Sequence, residues 1–200
     1  MGFNGDIVVV RGARPLSEFA PHVDTTAHPA RTMWESPDGW SATHVRHDDD
    51  PYAFERPWLA ALAAKADSPV LVCWVFETHI AHVQAVSAAG AWEVWLNPGE
   101  AAAHLAMSRL ELEAARAGAE VFDDDGELAR PQRYAELRDE VADELERRRP
   151  RVVGAAVAWA AAAGMPADGA AVELVLARNQ GESALRVFGL FADRLGVGPR

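Results

Sequence analysis

Strand-like sequence in this 200-residue chain is confined to its first half, and that asymmetry limits the fold more than any other feature. Asp6 to Arg11 carries the β-branched stretch Ile7 to Val10 and is punctuated by Gly12, as a first strand would be. Gly39 to His47 alternates, with Trp40, Ala42 and His44 on one face and Ser41, Thr43 and Val45 on the other. Val70 to Phe76 is apolar throughout, the composition of a central strand covered on both faces. Ala81 to Ser87 and Ala91 to Asn97 follow, joined by Ala88-Ala89-Gly90, and this spacing predicts an antiparallel meander. In the last of these runs Trp92, Val94 and Leu96 share one face and Glu93 and Trp95 the other, which makes that second face the wetter one. Pro21 to Pro37 shows no period and reads as loop or irregular edge, after a short helix at Pro15 to Ala20.

Helical signals dominate the remainder. Pro57 to Ala66 reads as a helix before the apolar strand. Asn97-Pro98-Gly99-Glu100 combines a cap-type Asn, Pro at the first helical position and Glu three residues after the cap. The helix it opens should run to about Arg116, stop at Gly118 and bury Ala102, Leu105, Ala106, Leu110 and Leu112. Asp123-Asp124-Asp125-Gly126 is a polar break, placed here as the boundary between an α+β region (1–122) and a helical region (127–200) that can pack on it as one unit. After Pro131 the chain reads as three or four helices, from the segments Gln132 to Arg149 stopped by Pro150, Arg151 to Ala163, Ala170 to Arg178, and Glu182 to Leu195. The expected class is α+β, a mainly antiparallel sheet with helices in the N-terminal half and an all-helical C-terminal part.

Charge narrows the function. Against 19 basic side chains stand 30 acidic ones, a formal charge of −11, which repels nucleic acid and acidic membranes alike. The longest basic run, Arg147-Arg148-Arg149 with Arg151, sits among acids. Cys73 is the only cysteine, which excludes an internal disulfide and any multi-cysteine metal site and fits a reducing cytoplasm. The N-terminus carries acid where a signal peptide is basic, and Val152 to Ala163 is too short for a membrane span, so a cytoplasmic location is expected. One lysine among the 19 basic residues, with abundant alanine, suggests the coding bias of a high-GC bacterium.

No familiar catalytic constellation emerges. Glu77 and His79 share a face of an extended chain while His82 points away, so they converge on an ion only if a turn gathers them. His44 and His47 face opposite ways, and His22, His28 and His104 stand alone. Cys73 lies inside an apolar run, no Ser occupies a nucleophile elbow, and Gly2 with Gly5 lacks the rest of a phosphate loop. The acidic turns Asp48-Asp49-Asp50 and Asp123-Asp124-Asp125 lack the ligand spacing of a calcium loop. Neither a metal nor a cofactor is expected. Seven tryptophans are the most unusual feature: Trp34 and Trp40 flank Glu35 to Gly39, where their rings either anchor a partner or close one end of the core, and Trp95 is either covered by helices or exposed.

From Trp58 onwards the order of a helix, VLVCWVFETH, a hairpin, AWEVWLNP entering a helix, then AVAWAAAAGMPADG and ESALRVFGLFADRLG resembles a group of high-GC bacterial proteins without an assigned function. The resemblance is one of layout over some two-thirds of the chain and implies no catalytic motif. The expected function is a non-catalytic cytoplasmic protein-binding module, regulatory or immunity-like, whose acidic surface takes a basic or neutral protein partner. Its expected binding residues are Trp34, Trp40, Asp48, Asp49, Asp50, Trp95, Asp123, Asp124 and Asp125. The alternative is a small-molecule pocket or active site at the sheet edge, with Glu77, His44 or His79 as acid or base. A carboxylate and an imidazole converging in a cleft would favour the enzyme, and a flat acidic face with exposed tryptophan the binder.

Overall fold

The computed structural model describes residues 5–12, 30–45, 56–76, 78–177 and 182–199. Among the described residues six strands form one sheet: β1 (Gly5–Arg11), β2 (Arg31–Glu35), β3 (Trp40–Val45), β4 (Val70–Phe76), β5 (Ile80–Ser87) and β6 (Gly90–Leu96). Their order is β2-β3-β1-β4-β5-β6, and every pairing is antiparallel. The helices among the described residues are α1 (Arg56–Ala66), α2 (Pro98–Ala117), α3 (Pro131–Ala162), α4 (Gly169–Leu176) and α5 (Ala184–Arg194). The class is α+β. The proposed helix at Pro15 to Ala20 lies outside the described residues.

Helices cover both faces of the sheet, which is why β1 and β4 are apolar without alternation. On one face Ile7, Val9, Trp40, Ala42, Leu71, Cys73 and Val83 join Trp159 and Ala160 of α3, Val172 of α4 and Phe188 and Phe191 of α5 in the largest core. On the other, Val8, Val10, Val45, Val70 and Val72 meet Leu59, Leu62 and Ala66 of α1. A third, separate cluster joins Ala106 and Leu110 of α2 to Leu137 of α3. Helix α3 contributes to two of these clusters: its first half pairs with α2, and its second half lies on the sheet. At about 1.5 Å per residue its 32 residues span about 48 Å, long enough for both tasks.

Several expectations are corrected. The helix stop expected at Pro150 is absent: α3 runs through it, and of the three or four helices expected after Pro131 the described residues form three. A mid-helix proline removes one backbone donor, but Pro150 is exposed, so the carbonyl it leaves stands on the wet side. Packing on both sides of it, at Leu137 and Val141 and at Ala156 and Trp159, holds the helix together. Arg31 to Glu35, within the segment read as loop or irregular edge, is the edge strand β2. Its register shifts between Thr32 and Trp34, and that bulge erases the alternation by which a strand is recognised. Asn97 does not cap α2: its backbone is left-handed (φ 54°) and its side chain makes no capping bond. Instead its Nδ2 donates to the carbonyls of His79 (2.8 Å) and Glu182 (3.2 Å), tying the β4–β5 turn to the start of α5. Leu112, assigned to the core stripe of α2, is 51% exposed; Ala114 takes the buried position.

Two predictions follow from this packing. Cys73 is fully buried on β4, where burial first and the nearby Asp6 second push its thiol well above its ordinary pKa. Native protein should therefore react with a maleimide far more slowly than the chain unfolded in urea; equal rates would refute the central placement of β4. Glycines at 154 in α3 and 189 in α5 have nothing within 4 Å of an added Cβ. Gly154→Ala and Gly189→Ala should each raise stability by about 0.5–1 kcal/mol in thermal unfolding, by lowering the entropy of the unfolded chain. A Cβ at Gly198 would sit 2.3 Å from the Asp193 nitrogen, so Gly198→Ala should destabilise instead.

Candidate functional site

The segment joining α2 to α3 is a small ordered hairpin. Phe122 bridges Leu128, Asp123 N–H donates to Glu127 O (2.9 Å), and Gly126 N–H donates to Asp123 O (3.0 Å). Gly126 has φ 80°, the left-handed position that a three-residue hairpin loop requires. The Asp123 carboxylate stiffens the loop by accepting from the N–H groups of Asp125 (3.1 Å) and Glu127 (2.9 Å) through one oxygen. Val121 and Leu128 pack on the α2–α3 cluster, which fixes the hairpin to the helices. Phe122 is left 48% exposed, and Asp124 and Asp125 are exposed at the tip.

Acidic charge is concentrated around this hairpin. Residues 111–144 carry twelve acidic and four basic side chains, a net −8 of the chain's −11. Part of the excess meets Arg133, whose guanidinium donates to both oxygens of Glu113 (2.7 and 3.1 Å) and also to Glu136 (3.4 Å) and Glu140 (3.1 Å). The hydrogen bonds from Arg133 are the main reason the Glu113 carboxyl is held below its usual pKa. One cation among three carboxylates leaves the face strongly negative.

A second concave feature lies where α3 passes the β6 edge of the sheet. This cleft has a volume of about 560 Å³, and its walls include Trp95, Leu105, Arg109, Glu144, Arg148 and Val152. Glu144 bridges Arg109 (2.7 Å) and Arg148 (2.5 Å), and the bond from Arg109 is the first cause of its lowered pKa.

The tryptophans expected to bind are placed differently. Trp40 is fully buried against Trp159, with ring centroids 5.8 Å apart, so it belongs to the core and is closed to any partner. Trp34 lies against Phe188 and donates its Nε1–H to Val197 O (3.1 Å), closing one end of the core. Trp95 stacks on His82 at 4.3 Å and meets Trp74 and His104 of α2, and it is partly buried while lining the cleft. Asp48, Asp49, Asp50 and Glu77 lie outside the described residues. The carbonyl of His79 serves Asn97, and His82 Nε2 lies 3.9 Å from Glu93. Among the described residues no group of three His, Cys, Asp or Glu is placed to hold a metal ion, and no helix is long and apolar enough to cross a membrane.

No family model, curated protein or solved structure matches the chain. The functional reading rests on geometry and charge.

Phe122, Arg109 and Glu144 were not among the residues singled out from sequence, and Leu112 was expected in the core. The first had a signal: Asp-Gly between the apolar pairs Val121-Phe122 and Leu128-Ala129 is a hairpin pattern. A running charge count would likewise have marked 111–144. Arg109 and Glu144 are 35 positions apart and had none.

Proposed function

We propose that the protein is a non-catalytic binding module that takes a basic protein partner on the α2–α3 lobe. The observation that carries this reading is the concentration of −8 on 34 consecutive residues around a docked hairpin that leaves Phe122 exposed. A like-charged face costs the fold through self-repulsion and favours association with an oppositely charged one. A pre-formed loop adds little ordering cost on binding. Leu112, half exposed on α2, adds apolar area of the kind that anchors an interface.

The test is affinity capture by the intact chain from a bacterial lysate of its source at low salt, followed by binding of the purified captured protein. The reading requires that this protein be basic and that Asp124→Lys with Asp125→Lys abolish its capture. A partner that binds the double variant as well as wild type would reject the lobe.

A further inference from the structure

β6 is an edge strand, and its register with β5 fixes which of its backbone groups the sheet leaves over. Ser87 and Gly90 close a two-residue hairpin loop and so exchange both ladder hydrogen bonds, and Ala85–Trp92, Val83–Val94 and Ala81–Leu96 repeat that pairing at every second position. The alternate residues Ala91, Glu93 and Trp95 therefore turn their N–H and C=O groups away from β5. At Trp95 no hydrogen bond among the described residues takes up either group. The cleft of about 560 Å³ lies on this edge: Glu93, Val94 and Trp95 all line it, and since successive side chains alternate between the faces of a sheet, the rim of the strand is what the three share.

The charges of the lining engage one another. Arg109 and Arg148 share Glu144 at 2.7 and 2.5 Å, and Arg149 pairs with Glu146. With Glu93, which faces His82 at 3.9 Å, and the exposed Asp143, the lining holds four carboxylates against three guanidiniums, a net charge of −1. An anion is therefore not attracted. What the rim offers instead is one donor and one acceptor, the N–H and C=O of Trp95, beside the apolar side chains of Leu105 and Val152. A carboxylate accepts from the N–H but has nothing to give the C=O, and an ammonium does the reverse; an uncharged amide answers both. A few backbone groups set among apolar walls, in a volume within about 300–1,000 Å³, are the usual make-up of a small-molecule site.

We propose that the β6-edge cleft binds a small uncharged amide with an apolar body, the amide pairing with the outward N–H and C=O of Trp95 as a neighbouring strand would, and the body lying against Leu105 and Val152. This does not rest on the binding of a basic partner by the acidic lobe.

Calorimetric titration of the full chain with 3-phenylpropanamide, 3-phenylpropanoate and 3-phenylpropylammonium tests this with one carbon skeleton and three head groups. The amide should bind saturably and at least about fivefold tighter than either ion, because each ion leaves one group of Trp95 unpaired. In the NMR spectrum it should shift the backbone amide of Trp95 more than that of Val94, whose N–H is held in the β5–β6 ladder. Val152→Phe narrows the cleft and should weaken the amide about fivefold or more. Leu105→Ala, which adds no bulk, should weaken it about twofold or more by removing apolar wall. Arg148→Gln leaves the Arg109–Glu144 bridge in place and should leave the amide's affinity unchanged. Tighter binding of either ion, no saturable binding of the amide, or an unmoved Trp95 amide would overturn the proposal. So would wild-type affinity in Val152→Phe and Leu105→Ala, or loss of binding in Arg148→Gln, which would make the site one of charge.

Discussion

Replacing Trp159 by alanine is expected to lower the stability of the fold by about 3–5 kcal/mol, the usual cost of emptying a buried aromatic site. Trp159 is fully buried in the second half of α3 and sits in the largest core, between the sheet and the C-terminal helices. Its ring packs on Trp40 at 5.8 Å, and its Nε1–H donates to the carbonyl of Val86 at 3.1 Å. Truncation would therefore open a cavity that α3, fixed at its other end by α2, can close only in part. Typical domains are stable by about 5–15 kcal/mol, so the loss is a large share of the total. A paired comparison separates packing from hydrogen bonding. Trp159→Phe gives up a buried bond, whereas the Nε1–H of Trp40 meets no acceptor among the described residues, so Trp40→Phe gives up ring volume alone. Urea unfolding should rank the three variants with Trp159→Ala least stable and Trp40→Phe nearest wild type. A Trp159→Ala loss below about 1 kcal/mol would falsify the placement of α3 on the sheet.

That dependence on α3 explains which parts of the fold could be read in advance. The runs at Ile7 to Val10 and Val70 to Phe76 announce strands because both faces of the sheet are covered and every side chain must be apolar. The Ala88 to Gly90 turn is equally legible, since Gly90 adopts a backbone (φ 116°) that other residues avoid. Where tertiary contacts overrule a local rule, the reading fails. Pro150 is a helix stop by every local criterion, yet packing at Trp159 on one side and Leu137 on the other keeps α3 continuous. Asn97 is a cap by its neighbours, but two carbonyls from distant turns claim its amide. Trp34 and Trp40 share one face of the sheet and differ in burial because Trp34, opposite Ala42, lies on the edge strand β2, whereas Trp40 lies on β3, flanked by β1.

The same logic divides the candidate sites. The acidic lobe is contiguous in sequence and folds locally, so composition alone marks it, and the structure adds only that Asp123 is structural while Asp124 and Asp125 are not. The β6-edge cleft is assembled from β6, α2 and α3, and no local pattern joins Arg109 to Glu144 before the chain is folded. Sites of the second kind become visible only when the long helix is known to be unbroken.

Reversing charge at the hairpin tip should act on the association rate. Asp124→Lys with Asp125→Lys moves residues 111–144 from −8 to −4 and leaves in place Asp123, whose carboxylate holds the loop. Charge complementarity raises association rates by about 10- to 1,000-fold at low salt, so the double variant should bind a basic partner at least tenfold more slowly. The difference should shrink as salt rises, because exposed charges are screened beyond about 8–10 Å at 0.1–0.15 M and about 3 Å at 1 M. Phe122→Ala should behave differently: if its exposed ring is an anchor of about 2 kcal/mol or more, dissociation quickens about 30-fold or more while the salt dependence stays that of wild type. Asp123→Asn, which keeps an oxygen acceptor for the N–H groups of Asp125 and Glu127, separates the charge of Asp123 from its role in the loop. Stopped-flow and surface-capture kinetics at 20 mM and 500 mM salt read both rates. Association by the double variant at the wild-type rate in low salt would show that the charge of this lobe does not steer the partner.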